Sequence, residues 1–293
     1  MCDNIYSANT IMATDTDNNQ PGTQALRSTR ELNSTQQPRP ALNALAIFLD
    51  LDGTLAPIAS TPDRASIPQT TLRLLGSLWR ASKGSVAIVS GRDAPDIDRL
   101  LAPLHLPYAA LHGARIKTPD GRTETLDVPS NDLAGICAVV ENGMRRLPGT
   151  IIERKALSIA LHYRNAPEFE SEVNQIAANA LAGHDAAFEI QRGKMVVEIK
   201  PRGASKAAAI RRLMSVAPFL GRIPLFAGDD LTDESAFQAV NAMNGISIKV
   251  GPGETQASWR LDDPLALSAW LSSLLAGQAG VGDSCSTGKG AEQ

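Results

Sequence analysis

The chain is poor in cysteine, has no long apolar run and carries almost no excess of charge. Cys2, Cys137 and Cys285 are odd in number and widely spaced, and two of them fall in expected tails. That excludes a disulfide framework and a zinc pattern, and it fits a reducing cytoplasm. No stretch reaches the roughly 18 apolar residues needed to span a bilayer, so no membrane association is expected. The N-terminus lacks a basic patch followed by an apolar segment, so no secretory signal is expected either. A formal net charge of -3 gives no support for nucleic-acid or membrane-surface binding. What remains is ordinary: 43% hydrophobic and 20% charged residues over 293 positions describe a globular protein of about two domains.

The chain is organised around Ala46-Ile47-Phe48-Leu49-Asp50-Leu51-Asp52-Gly53-Thr54-Leu55. An apolar run bounded by turn residues predicts a buried parallel strand. It delivers Asp50 and Asp52 to the strand end, on a backbone that Gly53 allows to turn sharply. Two carboxylates there repel unless a cation or a proton lies between them.

The residues around this strand predict an α/β pattern. Leu72, Leu75, Leu78 and Trp79 fall at helical spacing within 70–82. Val86-Ala87-Ile88-Val89 reads as a second buried strand ending in Ser90-Gly91-Arg92, with a helix from Asp93 through Leu101 and a third strand over 108–111. Near Ser130 the pattern changes to helix, strand, strand, repeated once. Leu133, Ile136, Cys137, Val140, Met144 and Leu147 share one helical face. Strands follow over 150–155 and 157–164, a helix over 167–181, and strands over 188–191 and 194–200. The α/β pattern then resumes with a helix from Lys206 and a strand over 223–227 that ends in Gly228-Asp229-Asp230-Leu231-Thr232-Asp233-Glu234. A strand over 246–250 and a last helix complete it. The expected organisation is a Rossmann-like parallel-sheet core over 41–122 and 202–276, with an α+β cap of antiparallel sheet and two helices inserted over 123–201. Polar, disordered tails are expected over 1–40 and 277–293.

Ligands of an open parallel sheet bind beyond the carboxyl ends of its strands. Asp50/Asp52, Ser90 and Asp229/Asp230 all fall there, and oxygens without a nearby His or Cys suit a hard cation such as Mg2+. Lys206 lies in the first turn of a helix, where the macrodipole disfavours a cation unless anions face it. Asp233 and Glu234 are open to two readings, as first-turn acids or as site residues. This set permits phosphoryl transfer. Asp50 would attack phosphorus and Asp52 would serve as acid and then base. Mg2+ would be held by Asp50, the Asp52 carbonyl and Asp229, while Ser90, Gly91 and Lys206 hold phosphate oxygens. Thr54, Asp230 and Asp233 would support these groups from behind.

Asp50-Leu51-Asp52-Gly53-Thr54, Ser90-Gly91-Arg92, Lys206 and the Gly228–Glu234 string resemble, in order, the four motifs of haloacid dehalogenase-type phosphatases. The resemblance covers about residues 45–275 and implies a Rossmann-like core with a cap between the second and third motifs. In the cap, strand parity places His162 and Arg164 opposite Leu157, Ile159, Leu161 and Tyr163. The same parity places Lys194, Glu198 and Lys200 opposite Met195, Val197 and Ile199. A polar sheet face can simply be solvated, or it can meet the hydroxyls of a sugar. Glu153-Arg154-Lys155-Ala156-Leu157, Leu161-His162-Tyr163-Arg164, Gly193-Lys194 and Glu198-Ile199-Lys200-Pro201 are similar to strings of trehalose-6-phosphate phosphatases. That resemblance implies hydrolysis of trehalose 6-phosphate to trehalose and phosphate, with Glu153, Lys155, His162, Arg164, Lys194 and Glu198 touching the sugar. It also implies a cytoplasmic enzyme, expected to be a monomer, with a trehalose-6-phosphate synthase as its pathway partner. The alternatives are another sugar phosphate, such as sucrose phosphate or a mannosylglycerate-type ester, or a silent sensor. The sensor is disfavoured because Asp50, Asp52, Lys206 and Asp229 are all present.

Overall fold

The structure, a computed structural model, describes residues 30, 31, 38, 40–58 and 64–279. In chain order it begins with β1 (Arg30–Glu31), β2 (Leu45–Leu49), α1 (Gln69–Ala81), β3 (Val86–Val89), α2 (Ala94–Leu101) and β4 (Tyr108–Ala110). Two short strands follow, β5 (Arg115–Lys117) and β6 (Thr123–Thr125). Then come α3 (Ser130–Met144), β7 (Ile151–Arg154), β8 (Ile159–His162), α4 (Glu170–Leu181), β9 (Phe188–Gly193) and β10 (Val196–Pro201). The chain returns through α5 (Lys206–Met214), β11 (Ile223–Gly228), α6 (Glu234–Ala242), β12 (Ile246–Val250), β13 (Trp259–Leu261) and α7 (Pro264–Ala279).

These strands form two sheets. One has nine strands in the order β1-β13-β12-β11-β2-β3-β4-β5-β6, parallel from β1 to β4 and antiparallel beyond. The other has four antiparallel strands in the order β7-β8-β10-β9.

Strand β2 shows why the large sheet is sandwiched. All five of its residues are buried, and they alternate between two cores. Leu45, Ile47 and Leu49 join the cluster under α1, α2 and α7, with Leu75, Ile97 and Leu271. Ala46 and Phe48 join the one under α5 and α6, with Ile210, Phe237 and Val240. Phe48 stacks on Phe219 at 5.2 Å between centroids, and Phe226 meets Phe237 at 5.4 Å. Each such aromatic or Leu side chain contributes about 1.5–3 kcal/mol when fully buried.

The small sheet has one apolar face only. Ile159, Leu161, Val197, Ile199 and Phe188 pack against Ile136, Val140 and Met144 of α3 and against Val173 and Ala177 of α4. Cys137 is a buried thiol in this cluster, whereas Cys2 and Cys285 lie outside the described residues.

Several expectations shift. Most of the tails expected over 1–40 and 277–293 lies outside the described residues. Two parts of them are ordered: Arg30–Glu31 pairs with β13, the Arg30 guanidinium lying 6.0 Å from the Trp259 ring centroid, and α7 continues past Gly277 to Ala279. Strands β1, β5, β6 and β13 carry two or three residues each, too few for periodicity to register. Trp79 is 40% exposed, so the buried stripe of α1 is carried by Leu72, Leu75 and Leu78. Leu157 packs on the core beneath the large sheet rather than on the cap helices, because β8 begins only at Ile159.

Candidate active site

Strands β3, β2 and β11 are neighbours, and their carboxyl ends bring Ser90, Asp50 and Asp229 to one edge. The Asp50 amide is held by the Ala227 carbonyl at 3.0 Å, which continues the ladder to the last residue before the turn. Lys206 comes from across this edge. Ser205 caps α5, accepting the Ala208 amide at 3.0 Å, and so makes Lys206 the first helical residue. Its Nζ lies 2.7 Å from Asp50 Oδ1 and 2.5 Å from Asp233 Oδ1, with all three side chains buried. Asp233 in turn accepts the Asp230 amide at 2.9 Å on its other oxygen. It reaches this position because Gly228 has no side chain: a Cβ there would lie 2.4 Å from Asp233 Cγ. Both readings left open for Asp233 therefore hold at once, since it fastens a helical turn and pairs with the site lysine. Glu234 fits the first reading, as the acid that opens α6, and it accepts the Gln256 amide at 2.7 Å.

Burial and three neighbouring carboxylates decide the charge state. Burial pushes the Asp50 carboxyl well above its ordinary value, Lys206 opposes this, and Asp233 and Asp229 add to it. Asp229 is pushed up to about 7 by burial and then by Asp233. Lys206 is held above its ordinary value because Asp233 and Asp50 outweigh its burial. Among the described residues Lys206 is the one cation in direct contact with these carboxylates, Lys249 offsets Asp229 from its place on the Asp229 carbonyl, and negative charge remains in excess.

The donor set suits a second cation. Oxygens of Asp50, Asp229 and Asp233 all lie within 4.8 Å of one another. Asp229 Oδ1 is buried without a hydrogen-bond partner among the described residues, although a buried carboxylate oxygen in that state is costly. All-oxygen ligation without His or Cys fits a hard divalent ion. Asp233 already serves Lys206 and the Asp230 amide, which leaves Asp50 and Asp229 as the more available carboxylates.

Asp52 points elsewhere. Its carboxylate is taken by Arg92 in a two-pronged pair, Nε to Oδ2 at 2.7 Å and Nη2 to Oδ1 at 2.8 Å. The Arg92 amide donates to Ser90 Oγ at 3.2 Å, so one loop after β3 carries both contacts.

The polar face of the cap sheet closes over this edge. Register aligns Glu153, Ala160, Glu198 and Gln191 in one row across the four strands. Ile151, His162, Val196 and Gly193 form the next row. All eight line a cleft of about 220 Å3 whose other wall includes Asp50, Asp52, Ser90, Gly91, Lys206, Asp229 and Asp230. Lys155, Arg164 and Lys194 complete the set expected from the cap. Thr54 and Asp233 lie behind the wall, both buried.

Within the cleft the cap residues are paired. His162 Nε2 lies 2.8 Å from Glu153 Oε2, and Arg164 Nη2 donates to the Lys194 carbonyl at 3.1 Å. Lys155 Nζ donates to Glu198 Oε2 at 3.0 Å and to the Gly91 carbonyl at 2.9 Å, so it joins the cap to the Ser90-Gly91 loop. Glu198 also accepts Ser158 Oγ at 2.6 Å, and His112 Nε2 lies 3.3 Å from its Oε2. Burial alone would raise Glu198, but Lys155, followed by His112 and Ser158, holds its carboxyl well below the usual range. Lys200 keeps the face expected from its parity with Glu198 but does not line the cleft: it is buried, pairs with its cross-strand neighbour Glu189 at 2.5 Å and donates to the Ala204 carbonyl.

A trehalose-phosphatase family model matches residues 48–265. The trehalose-6-phosphate phosphatase of Escherichia coli strain K12 is 42% identical over 233 residues, 79% of this chain and 87% of that protein. The chain belongs to the trehalose-phosphatase family. It is accordingly a hydrolase of the phosphoric monoester class. Among solved structures, the C-terminal domain of the C. albicans trehalose-6-phosphate phosphatase superposes with a TM-score of 0.74 at 23% identity, over 85% of this chain and 99% of that one. A phosphatase of the haloalkanoate (HAD) superfamily from Bacteroides thetaiotaomicron shares the fold with a TM-score of 0.54 at 16% identity, over 82% and 98% of the two chains. Core and cap together are the HAD-like architecture of this trehalose-phosphatase family member.

Sequence reasoning missed Arg92, His112, Gln191, Asn165 and Thr232, all of which line the cleft. Two of them left a signal. Arg92 stands beside Ser90 in the second motif. Gln191 is three residues beyond the buried Phe188, hence on the opposite sheet face. His112 left none, because it reaches the cleft through two successive left-handed residues, Leu111 (φ 52°) and His112 (φ 55°). No helix among the described residues is long and apolar enough to cross a membrane.

Proposed function

We propose that the protein hydrolyses trehalose 6-phosphate to trehalose and phosphate. The observation that carries this reading is the division of one cleft. Ser90, Gly91, Lys206 and the carboxylates stand on one wall, and a frame of paired acids and bases from the cap stands on the other. A phosphate needs the first and the hydroxyls of a disaccharide suit the second.

In this reading Asp50 Oδ forms a bond to phosphorus as the bond from phosphorus to the sugar oxygen breaks. Asp52 gives its proton to that oxygen, and the sugar leaves as an alcohol. Asp52, now a carboxylate, takes a proton from water as the water oxygen bonds to phosphorus. The aspartyl-phosphate bond breaks, Asp50 is regenerated and phosphate leaves. Lys206 and Ser90 hold the phosphate oxygens throughout, and the Gly91 amide lies on the same loop. Mg2+, held by Asp50, the Asp52 carbonyl and Asp229, would supply the charge neutralisation that lets a carboxylate approach a phosphate dianion. Glu153, Lys155, His162, Arg164, Lys194 and Glu198 bind the sugar, Thr54, Asp230 and Asp233 keep the core groups in place, and 123–201 acts as the specificity cap.

Cytoplasmic work on a soluble sugar phosphate, as a monomer fed by a trehalose-6-phosphate synthase, accords with this reading. Phosphate release from a panel of sugar phosphates tests it. Trehalose 6-phosphate is expected to turn over with a kcat/KM well above sucrose 6-phosphate, glucose 6-phosphate and mannosylglycerate phosphate. Equal turnover across the panel would remove the claim to trehalose 6-phosphate and leave a broad sugar phosphatase.

A further inference from the structure

The pair between Arg92 and Asp52 has no role in the chemistry set out above. Three observations give it one. First, the guanidinium is the fixed partner: the Arg92 side chain is 9% exposed and that of Asp52 40%. The Arg92 backbone is fastened on both sides, its amide to Ser90 Oγ at 3.2 Å and its carbonyl to the Leu111 amide at 2.9 Å. Second, the backbone of Asp52 is set by the turn, with the Gly53 amide on the Ala56 carbonyl at 2.8 Å, while its side chain projects into the cleft. Third, the two contacts at 2.7 and 2.8 Å are a fork-on-carboxylate match, which sets the plane of the carboxylate and not merely its charge. A carboxylate offers about four lone-pair sites, so the fork leaves the outer lone pair of each oxygen free, and one of them carries the proton that Asp52 delivers as acid and recovers from water as base.

We propose that Arg92 is a positioning residue that aims the Asp52 carboxylate at the leaving oxygen of the substrate. Because Arg92 and Ser90 share one loop, the element that holds the phosphate also orients the group that protonates the departing alcohol. The proposal rests on the reading of Asp52 as the acid and base of the reaction.

The test compares two leaving groups. The sugar alcohol of trehalose 6-phosphate must be protonated as it departs, whereas p-nitrophenolate leaves as a stabilised anion. Arg92→Ala is expected to lower kcat on trehalose 6-phosphate by about a hundredfold, the lower end of what an acid contributes. On p-nitrophenyl phosphate it is expected to change kcat only a few-fold, with KM for both esters nearly constant. Arg92→Lys keeps the buried charge without the fork, guards against loss of the fold, and should fall between Arg92→Ala and the parent. Added guanidinium should restore part of the Arg92→Ala activity on the sugar ester alone. Asp52→Ala, run beside them, should show the same dependence on leaving group.

Equal losses on both esters would mark Arg92 as structural and overturn the proposal, as would no loss on either. If Asp52→Ala shows the dependence and the Arg92 variants do not, only the proposal falls. If Asp52→Ala shows none, the acid/base reading fails and the proposal goes with it.

Discussion

Asp229 occupies the space in which a side chain at Gly53 would stand: an ideal Cβ on Gly53 falls 2.1 Å from Asp229 Oδ2. The φ of Gly53 is +79°, which an L residue adopts only with strain. The turn after β2 and the carboxylate after β11 are therefore one fitted unit. Gly53→Ala is expected to displace Asp229, to lower stability by about 1–3 kcal/mol and to lose most phosphatase activity. Thermal melting and phosphate release measure both. A variant that melted and turned over like the parent would show that the two segments are free to move apart.

Asp50→Asn should separate chemistry from folding. The change removes the proposed nucleophile and one of the three carboxylates around Lys206, yet Asp233 stays at 2.5 Å to pair with the buried lysine. Turnover is expected to fall by on the order of 10^4-fold or more, as when a covalent nucleophile is removed. The melting temperature should hold or rise, since burial and two neighbouring carboxylates disfavour the Asp50 charge that is lost. Retained turnover would refute the nucleophile assignment, and a large drop in melting temperature would show that the Lys206–Asp50 pair holds the fold.

The core motifs were legible for a plain reason. Asp50, Ser90 and Asp229 each follow an uninterrupted apolar run, and parallel strands place their carboxyl ends side by side whatever the distance in sequence. Parity likewise carried His162, Arg164 and Glu198 to one face of the cap. Pairing was not legible. Nothing in the strings says that Lys155 reaches the Gly91 carbonyl or that Arg92 grips Asp52, because such contacts depend on how the cap sits over the core. His112 is the clearest case. It stands one residue beyond the expected third strand, and the left-handed turn that swings its ring under Glu198 has no signature in residue type. Gly91 records it indirectly, since a Cβ there would lie 2.5 Å from His112 Nε2.

The unpartnered Asp229 Oδ1 makes a statement about metal-linked stability as well as activity. A divalent cation that satisfies it binds the folded chain and not the unfolded one. Mg2+ at about a hundred times its dissociation constant should then stabilise by about 2.7 kcal/mol. EDTA-treated protein is expected to lack phosphatase activity and to melt several degrees lower, with both recovered on adding Mg2+. Asp229→Asn should abolish the Mg2+-dependent rise in melting temperature. A shift that persisted in that variant would place the cation elsewhere.

Glu198 offers a pH test of the contact between cap and core. Its folded carboxyl titrates well below its ordinary value of 4.5, so its contribution to stability is complete above that value and disappears as pH falls through the folded one. Glu198→Gln leaves Lys155 buried beside a neutral amide, and breaking a buried pair in this way costs about 3–5 kcal/mol. The parent should therefore exceed the variant in unfolding free energy by a constant margin at pH 7 and pH 5. The margin should narrow below about pH 4, where the unfolded carboxyl binds its proton first and the parent loses its advantage. Denaturant titrations of both proteins across that range measure it. The variant should also lose turnover of trehalose 6-phosphate, because the released Lys155 no longer ties the cap strand to the Gly91 carbonyl. A margin that stayed constant to the lowest pH at which both proteins fold would mean that Glu198 acts by shape and not by charge.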